Sequence, residues 1–396
     1  MTDGTTENTT SAGEAEPRPP LLRRLVHSRV ARAVTAAGLV GVLLGAGTVA
    51  WRTDTLPLFS SDPCWGTFDD TLTERMFGDR ETVAETQQLQ PDPSSGTAVY
   101  GQCRITGYED GEKARAAKQL TVQVRRPAGY GRQDVWPAEF LAADMAPLGS
   151  GLTGMVSPSR AWLALPESCT GQVGVLSAPA VVDLAMGDAA VSGSVPEHDR
   201  EDRAALADAV VAVANGVRKE LGCSGRFSAP ATDKLAALVP WREADPDTLC
   251  GIEGLSVPAE YSASLRHGRA GVGGGATRTC EAGSIYPPGD LRLTTVVDPG
   301  LARIFADEAG NGGTRLERVK DGGPSGFGSI DVTRGVYLAQ CRTGDVAFVV
   351  ERMKSVGSEK GQRPNLVRAL LPRYVEAEAE RVGCGPVRLK LPEVLE

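Results

Sequence analysis

Short runs of alternating apolar and polar residues recur along most of the chain. TAVYGQCRIT (97–106) and QLTVQVRRP (119–127) alternate with period two, as do TRTCEAG (277–283) and LRLTTVV (291–297). Such runs read as half-buried strands. WLALPES before Cys169 and GVYLAQ before Cys341 alternate in the same way. Each is followed by a turn signal and a second apolar run, CTGQVGVL or CRTGDVAFV, so each reads as strand, turn, strand. Two segments change to helical spacing. Leu206, Val210, Val213, Val217 and Leu221 draw one stripe, with Asp199, Glu201 and Asp202 near its start. Leu371, Val375 and Val382 draw a second, in which Pro372 predicts a kink or a later helix start. Both segments run into Gly-Cys, at VRKELGCSG (217–225) and EAERVGCGP (378–386), which is helix-stop chemistry.

The elements fall into two series. Cysteines stand at 64, 103, 169 and 223, then at 250, 280, 341 and 384, and their intervals follow the same long, longer, intermediate order. With the matching local patterns, this predicts an internal duplication. Each copy would have a short helical start, two strands, an irregular middle with a helix, two more strands and a terminal helix. The expected fold class is α+β, each copy an antiparallel sheet with helices packed on one face. The expected domains are 52–228 and 229–396, with a linker at about 224–248 part of which, KLAALVPW, opens the second domain.

One run has no polar period. Residues 33–51, AVTAAGLVGVLLGAGTVAW, lie uncharged between Arg32 and Arg52. At about 1.5 Å per residue they reach roughly 28 Å, near the hydrocarbon thickness of a bilayer. Arg18, Arg23, Arg24, Arg29 and Arg32 precede the run and only Arg52 closely follows it, with Trp51 at the interface position. The positive-inside rule then puts residues 1–32 in the cytoplasm, as a tail without packed structure, and the body outside. A cleaved signal peptide with Thr48 and Ala50 before the cut is the competing reading, and a buried core helix a third. Arg23-Arg24 also invites a twin-arginine export signal, to which Leu25-Val26-His27 is a poor continuation.

Composition changes the picture in two ways. The net charge of −8 and 5% aromatic content give no basic or stacking surface for nucleic acid. The even number of cysteines, with no C-x-x-C pair among them, fits structural disulfides rather than metal binding or redox catalysis. Pairing within each half leaves three choices per half. The first-with-second, third-with-fourth scheme gives Cys64–Cys103, Cys169–Cys223, Cys250–Cys280 and Cys341–Cys384. No cofactor or metal site is expected.

Candidate chemistry is sparse. His27 lies before the apolar run, and neither His198 nor His267 has a second histidine at ligand spacing. GVGGGA (271–276) has a partial glycine pattern, but the run after it reads as a strand rather than the helix a dinucleotide site requires. In DGGPSGFGS (321–329), Phe327 breaks the nucleophile-elbow pattern around Ser325. The acidic cluster at 197–202 reads as a solvated helix start.

Asp62-Pro63-Cys64 soon after the apolar run, the later strand cysteines and the Ala/Arg/Gly-rich composition together resemble uncharacterised actinobacterial membrane-anchored envelope proteins and lipoproteins with cysteine-bearing α+β domains. The resemblance implies an envelope location and a fold, and no activity. The chain departs from it in lacking a lipobox cysteine at the end of the apolar run, and in carrying two copies. The expected function is a non-enzymatic envelope binding or interaction module, with the groove between the two domains as its ligand site and an envelope component or protein as partner. An accessory subunit of an envelope or secretion complex, and an enzyme with a dispersed site, are the alternatives.

Overall fold

In the computed structural model, residues 63–91, 99–109, 115–127, 140–170, 179–188, 199–285, 289–318, 323–353 and 365–393 are described. The expected tail 1–32, the membrane helix 33–51, His27 and His198 lie outside them. Among the described residues no helix is long and apolar enough to cross a membrane.

Two antiparallel sheets carry the fold. The first half begins with α1 (Pro63–Gly66) and α2 (Asp70–Phe77). Its strands are β1 (Glu81–Thr86), β2 (Gln90–Pro91), β3 (Val99–Tyr108), β4 (Ala116–Arg125), β5 (Ala146–Pro147), β6 (Gly154–Val156) and β7 (Arg160–Ala164). The short helix α3 (Glu167–Thr170), strand β8 (Val181–Asp188) and the long helix α4 (Asp199–Glu220) complete it. The second half has β9 (Arg242–Glu243), β10 (His267–Ala270), β11 (Thr277–Gly283), β12 (Leu291–Val296), α5 (Pro299–Ala302) and α6 (Ala306–Asn311). It continues with β13 (Thr314–Arg318), β14 (Gly326–Ile330), β15 (Arg334–Cys341), β16 (Gly344–Arg352), α7 (Leu366–Arg381) and β17 (Leu389–Lys390).

The strand orders correspond. The first sheet runs β1-β3-β4-β8-β7-β6-β5, and the second contains β10-β11-β12-β16-β15-β14-β13. In each, a hairpin is laid down first. A meander then builds from the far edge inward until its last strand pairs with the hairpin. The second sheet adds β9 and β17 at its two edges, and the first adds β2 against β3.

Period-two alternation gives each sheet two distinct faces. On the first, Cys103, Ile105, Leu120, Val122, Val182, Leu184, Ala161 and Leu163 pack against the stripe Leu206, Val210, Val213 and Val217 of α4. On the second, Cys280, Leu291, Leu293, Tyr337, Phe348 and Val350 pack against Leu366, Val367, Leu370, Leu371, Tyr374 and Val375 of α7. Each buried Leu, Val or Phe contributes about 1.5–3 kcal/mol, so these two interiors hold the helices. Helix α7 starts at Leu366, where Asn365 caps it by accepting from Arg368 N–H at 2.8 Å, and it runs through Pro372 rather than starting after it. The packed stripe on both sides of the proline outweighs the one missing backbone donor.

Both long helices end alike. Gly222 and Gly383 take φ of +67° and +70°, and the following N–H, of Cys223 or Cys384, bonds back to the carbonyl of Arg218 or Ala379 at 2.8 Å. This is the Schellman arrangement that Gly permits. The first cysteine of each half also shares a conformation: Cys64 and Cys250 have φ of 55° and 62° in tight turns before Gly66 and Gly251.

Three local expectations need amending. Cys169 does not sit in a turn between two strands. Pro166 ends the β7 run, and Cys169 lies in α3 with its N–H bonded to the Pro166 carbonyl at 2.9 Å. The strand that pairs with β7 is β8, from Val181, while most of CTGQVGVL lies outside the described residues. Within 224–248, KLAALVPW is expected to open the second domain, but its Leu235 joins the first core and Arg203 donates to the Ala236 carbonyl at 2.7 Å. The junction of the halves is filled rather than open. Phe140, Leu141, Met145, Met155, Trp162 and Val181 form one apolar cluster with Val296, Leu301, Phe305, Val336, Leu338 and Val349. Accordingly Asp62–Glu396 forms one compact unit.

Candidate functional site

A groove of about 690 Å³ opens at the C-terminal end of α4. Gly66, Thr67 and Asp69 form one wall; Asn215, Gly216 and Lys219 of α4 form another; Gly222, Cys223, Gly225 and Arg226 close it. Local sequence explains its shape. A Cβ on Gly216 would lie 2.0 Å from Thr67 Cγ2 and 3.2 Å from the Trp65 carbonyl, so only glycine lets the α1 turn approach the helix this closely. Gly225, at φ +76°, turns the chain back after the helix. Asn215 then clamps the returning strand, with Oδ1 accepting from Phe227 N–H at 2.8 Å and Nδ2 donating to the Phe227 carbonyl at 3.2 Å. Arg218 donates to the Ser224 carbonyl and lies over the Phe227 ring, 4.6 Å from its centroid.

Most polar groups of the groove are spent on building it. Thr67 Oγ1 donates to the Cys64 carbonyl at 2.6 Å, and Asp69 caps α2 by accepting from Leu72 N–H at 2.8 Å. The exposed cations Lys219 and Arg226 remain on its rim. This arrangement suits an anionic group.

The second half carries its polar chemistry inside. Across five adjacent strands, Arg269, Glu281, Arg292, Glu351 and Arg334 stand directly opposite one another, alternating in sign. Arg269 reaches Glu281 at 2.6 Å, Arg292 reaches Glu281 at 2.7 Å and Arg334 reaches Glu351 at 2.7 Å. The ends are closed by Asp144, 3.4 Å from Arg269, and by Glu308 of α6, paired with Arg334. Trp241 covers Arg269, 5.1 Å from ring centroid to guanidinium. Burial pushes the Glu281 carboxyl up, but Arg292 and Arg269 outweigh it and hold the group below the ordinary carboxylate range. Glu308 goes the other way, burial raising it despite Arg334. The side chains of Glu281 and Arg292 are 3% and 4% exposed, so the centre of this row is a tie within the fold.

On the opposite face of the same sheet, Glu378 of α7 accepts from Arg278 at 2.7 Å, Arg381 at 2.6 Å and Thr295 at 2.8 Å. Tyr374 shares a 2.7 Å hydrogen bond with Thr295, and burial, with the nearby Glu378 carboxylate, raises its phenol far above the ordinary value. That phenol stays protonated and docks the helix.

All eight cysteines are paired, as Cys64–Cys103, Cys169–Cys223, Cys250–Cys280 and Cys341–Cys384, with Cα–Cα separations of 5.3, 5.2, 5.9 and 4.9 Å. Each bridge stays within its half. His267 begins β10 opposite Gly283 and Glu243, away from the groove. GVGGGA (271–276) is the β10–β11 hairpin connection, where Gly275 abuts Pro147 of the first half. Ser325 Oγ donates to Gln340 Oε1 at 2.6 Å beside the start of β14 and meets no base. Among the described residues no group of three His, Cys, Asp or Glu is arranged to hold a metal ion.

The sequence reading found the bridges and missed both the groove and the row of charges. Gly216 in a stripe of Ala and Val was the one local signal for the groove. The charges in TRTCEAG and LRLTTVV were visible, but that Glu281 and Arg292 stand opposite one another depends on the register of β11 and β12. Comparisons with protein-family models, with curated proteins and with solved structures return no match.

Proposed function

We propose that the chain is a single-pass, membrane-anchored extracytoplasmic protein that works as a non-enzymatic binding module of the cell envelope. Residues 33–51 are the anchor and residues 1–32 the cytoplasmic tail. The units 52–228 and 229–396 are copies of one ancestral α+β domain. The observation that carries the reading is the complete pairing of eight cysteines into four bridges, each within one half. Such bridges persist on the oxidising side of a membrane and are rare in a reducing cytosol. The shared strand order, the paired Schellman ends and the left-handed Cys64 and Cys250 support the copy relation. The resemblance to actinobacterial envelope proteins adds to the location.

Within this reading the groove at the end of α4 is the ligand site, and Lys219 with Arg226 selects a carboxylate- or phosphate-bearing group of an envelope component. The second half is a rigid support.

Two experiments test this. Protease added to intact cells is expected to remove a C-terminal epitope and spare an N-terminal one; loss of both, or retention of the C-terminal one, contradicts the topology. A photo-crosslinking residue at position 224 is expected to give a discrete adduct in cells, and one at the equivalent position 385 none. Identical patterns at the two positions contradict the assignment of the groove.

A further inference from the structure

We propose that Cys169–Cys223 is an exchangeable disulfide, open to attack by an anionic low-molecular-weight thiol entering the groove, and that the other three bridges are structural. The proposal rests on the four-bridge state above and adds reactivity to the same groove.

Burial separates this bridge from the rest. Cys64 and Cys103 are 0% exposed in the first core, and Cys280 and Cys384 are 3% and 8% exposed in the second. Their partners Cys250 and Cys341 pack against that second core. Cys169 and Cys223 are both half-buried, and neither belongs to any of the three apolar clusters. Cys223 itself lines the groove, and Lys219 and Arg226 line it too. Exchange requires a thiolate to reach a disulfide sulfur, and nearby cations draw the thiolate in and steady the one that leaves. The equivalent bridge Cys341–Cys384 differs: Cys384 is buried and Cys341 packs against the core, and, counted from Cys384, Glu380 replaces Lys219 and the buried Val387 replaces Arg226.

The chemistry balances with two thiols. A thiolate attacks Sγ of Cys223, the sulfur on the groove side. The Sγ–Sγ bond breaks, Cys169 leaves as a thiolate, and a mixed disulfide remains on Cys223. A second thiolate attacks the outer sulfur of that mixed disulfide, leaving as the small-molecule disulfide and freeing Cys223. Two thiols are oxidised and one protein disulfide is reduced. The fold survives the opening. Leu206, Val210, Val213 and Val217 keep α4 on the sheet, and the backbone bond from Cys223 to Arg218 keeps its end capped. What is released is the four-residue helix Glu167–Thr170, whose Glu167 and Ser168 are exposed.

The full-length oxidised chain, in mild detergent, is treated with graded glutathione, quenched with N-ethylmaleimide and mapped by mass spectrometry. Cys169 and Cys223 are expected to react at least about 10-fold faster than the other six, with the glutathione adduct on Cys223. Charge reversal of the rim, K219E with R226E, is expected to slow glutathione several-fold while leaving neutral 2-mercaptoethanol nearly unchanged. First opening at another pair, or of all four together, overturns the proposal, as does an unchanged glutathione rate in the double variant. The sample without reductant reports the four-bridge state separately, so failure of the location reading is distinguishable.

Discussion

One row of residues crosses both sheets at the same place and is filled differently. Counted from the position after the strand cysteine, the second sheet reads Arg269, Glu281, Arg292, Glu351, Arg334. The equivalent row of the first sheet reads Glu85, Arg104, Thr121, Ala185, Arg160. In the second row Glu281 and Arg292 are a buried ion pair, flanked by the partly buried Arg269 and by the partly buried pair Arg334–Glu351. In the first, only the outer pair Glu85–Arg104 is charged on both sides, at 3.9 Å, with the two side chains 74% and 45% exposed. Identical strand order therefore does not dictate equal chemistry. The second half invests the row in ties to Asp144 and α6, while the first presents Lys219 and Arg226 at a groove at the helix end.

The sharpest break of this comparison is Arg292→Ala. It removes one of the two arginines that hold the buried Glu281 carboxylate, leaving Arg269 as its partner, and is expected to cost about 3 kcal/mol. Thr121→Ala, at the equivalent position, is expected to cost about 1 kcal/mol or less. Parallel denaturant titrations of the two variants check this. Equal losses would mean that the row is not an energetic unit.

Glu281→Gln comes next, at about 1.5–3 kcal/mol near neutral pH, because charge-assisted hydrogen bonds from two arginines are weakened. Since Glu281 is held below its ordinary value, its contribution is full above the unfolded pKa of about 4.3 and lost as pH falls through the folded one. The gap between variant and native protein should therefore narrow on acidification below about pH 4. Glu308, raised by burial, has the opposite sign, so its contribution grows as pH falls. Thermal melts from pH 7 to pH 3 separate the two.

Gly216→Ala tests the groove side. Its Cβ would meet Thr67, and the overpacking is expected to cost about 1–3 kcal/mol. The residue at the same distance before the cysteine in the second half is Ala377, whose change to Gly is expected to cost about 1 kcal/mol through helix propensity. The smallest effect is Arg104→Ala, within about 0.5 kcal/mol for an exposed pair. A larger loss there would mean that the first row matters as much as the second.

What sequence could and could not show follows the same division. Strands around Cys103, Cys280 and Cys341, and the stripe Leu206–Val217, were legible because their periods are local. Disulfide pairs were legible because each half offered few pairings. Strand order was not, because β4 meets β8 and β12 meets β16 only across long connections. Without that order, the Arg334–Glu351 pair cannot be joined to Arg292 and Glu281. The filled junction was also hidden: Trp162 and Phe305 are ordinary apolar residues until two sheets turn their second faces to each other. Lys219 and Arg226 become a pair only through the turn at Gly222 and Gly225.

The most direct test of the central claim is a disulfide map, without reduction, of the chain taken from its native cells with thiols blocked at lysis. The account predicts four linked peptide pairs, Cys64 with Cys103, Cys169 with Cys223, Cys250 with Cys280 and Cys341 with Cys384. Free thiols at the buried cysteines, or a bridge joining the two halves, would contradict both the oxidising location and the two-unit plan.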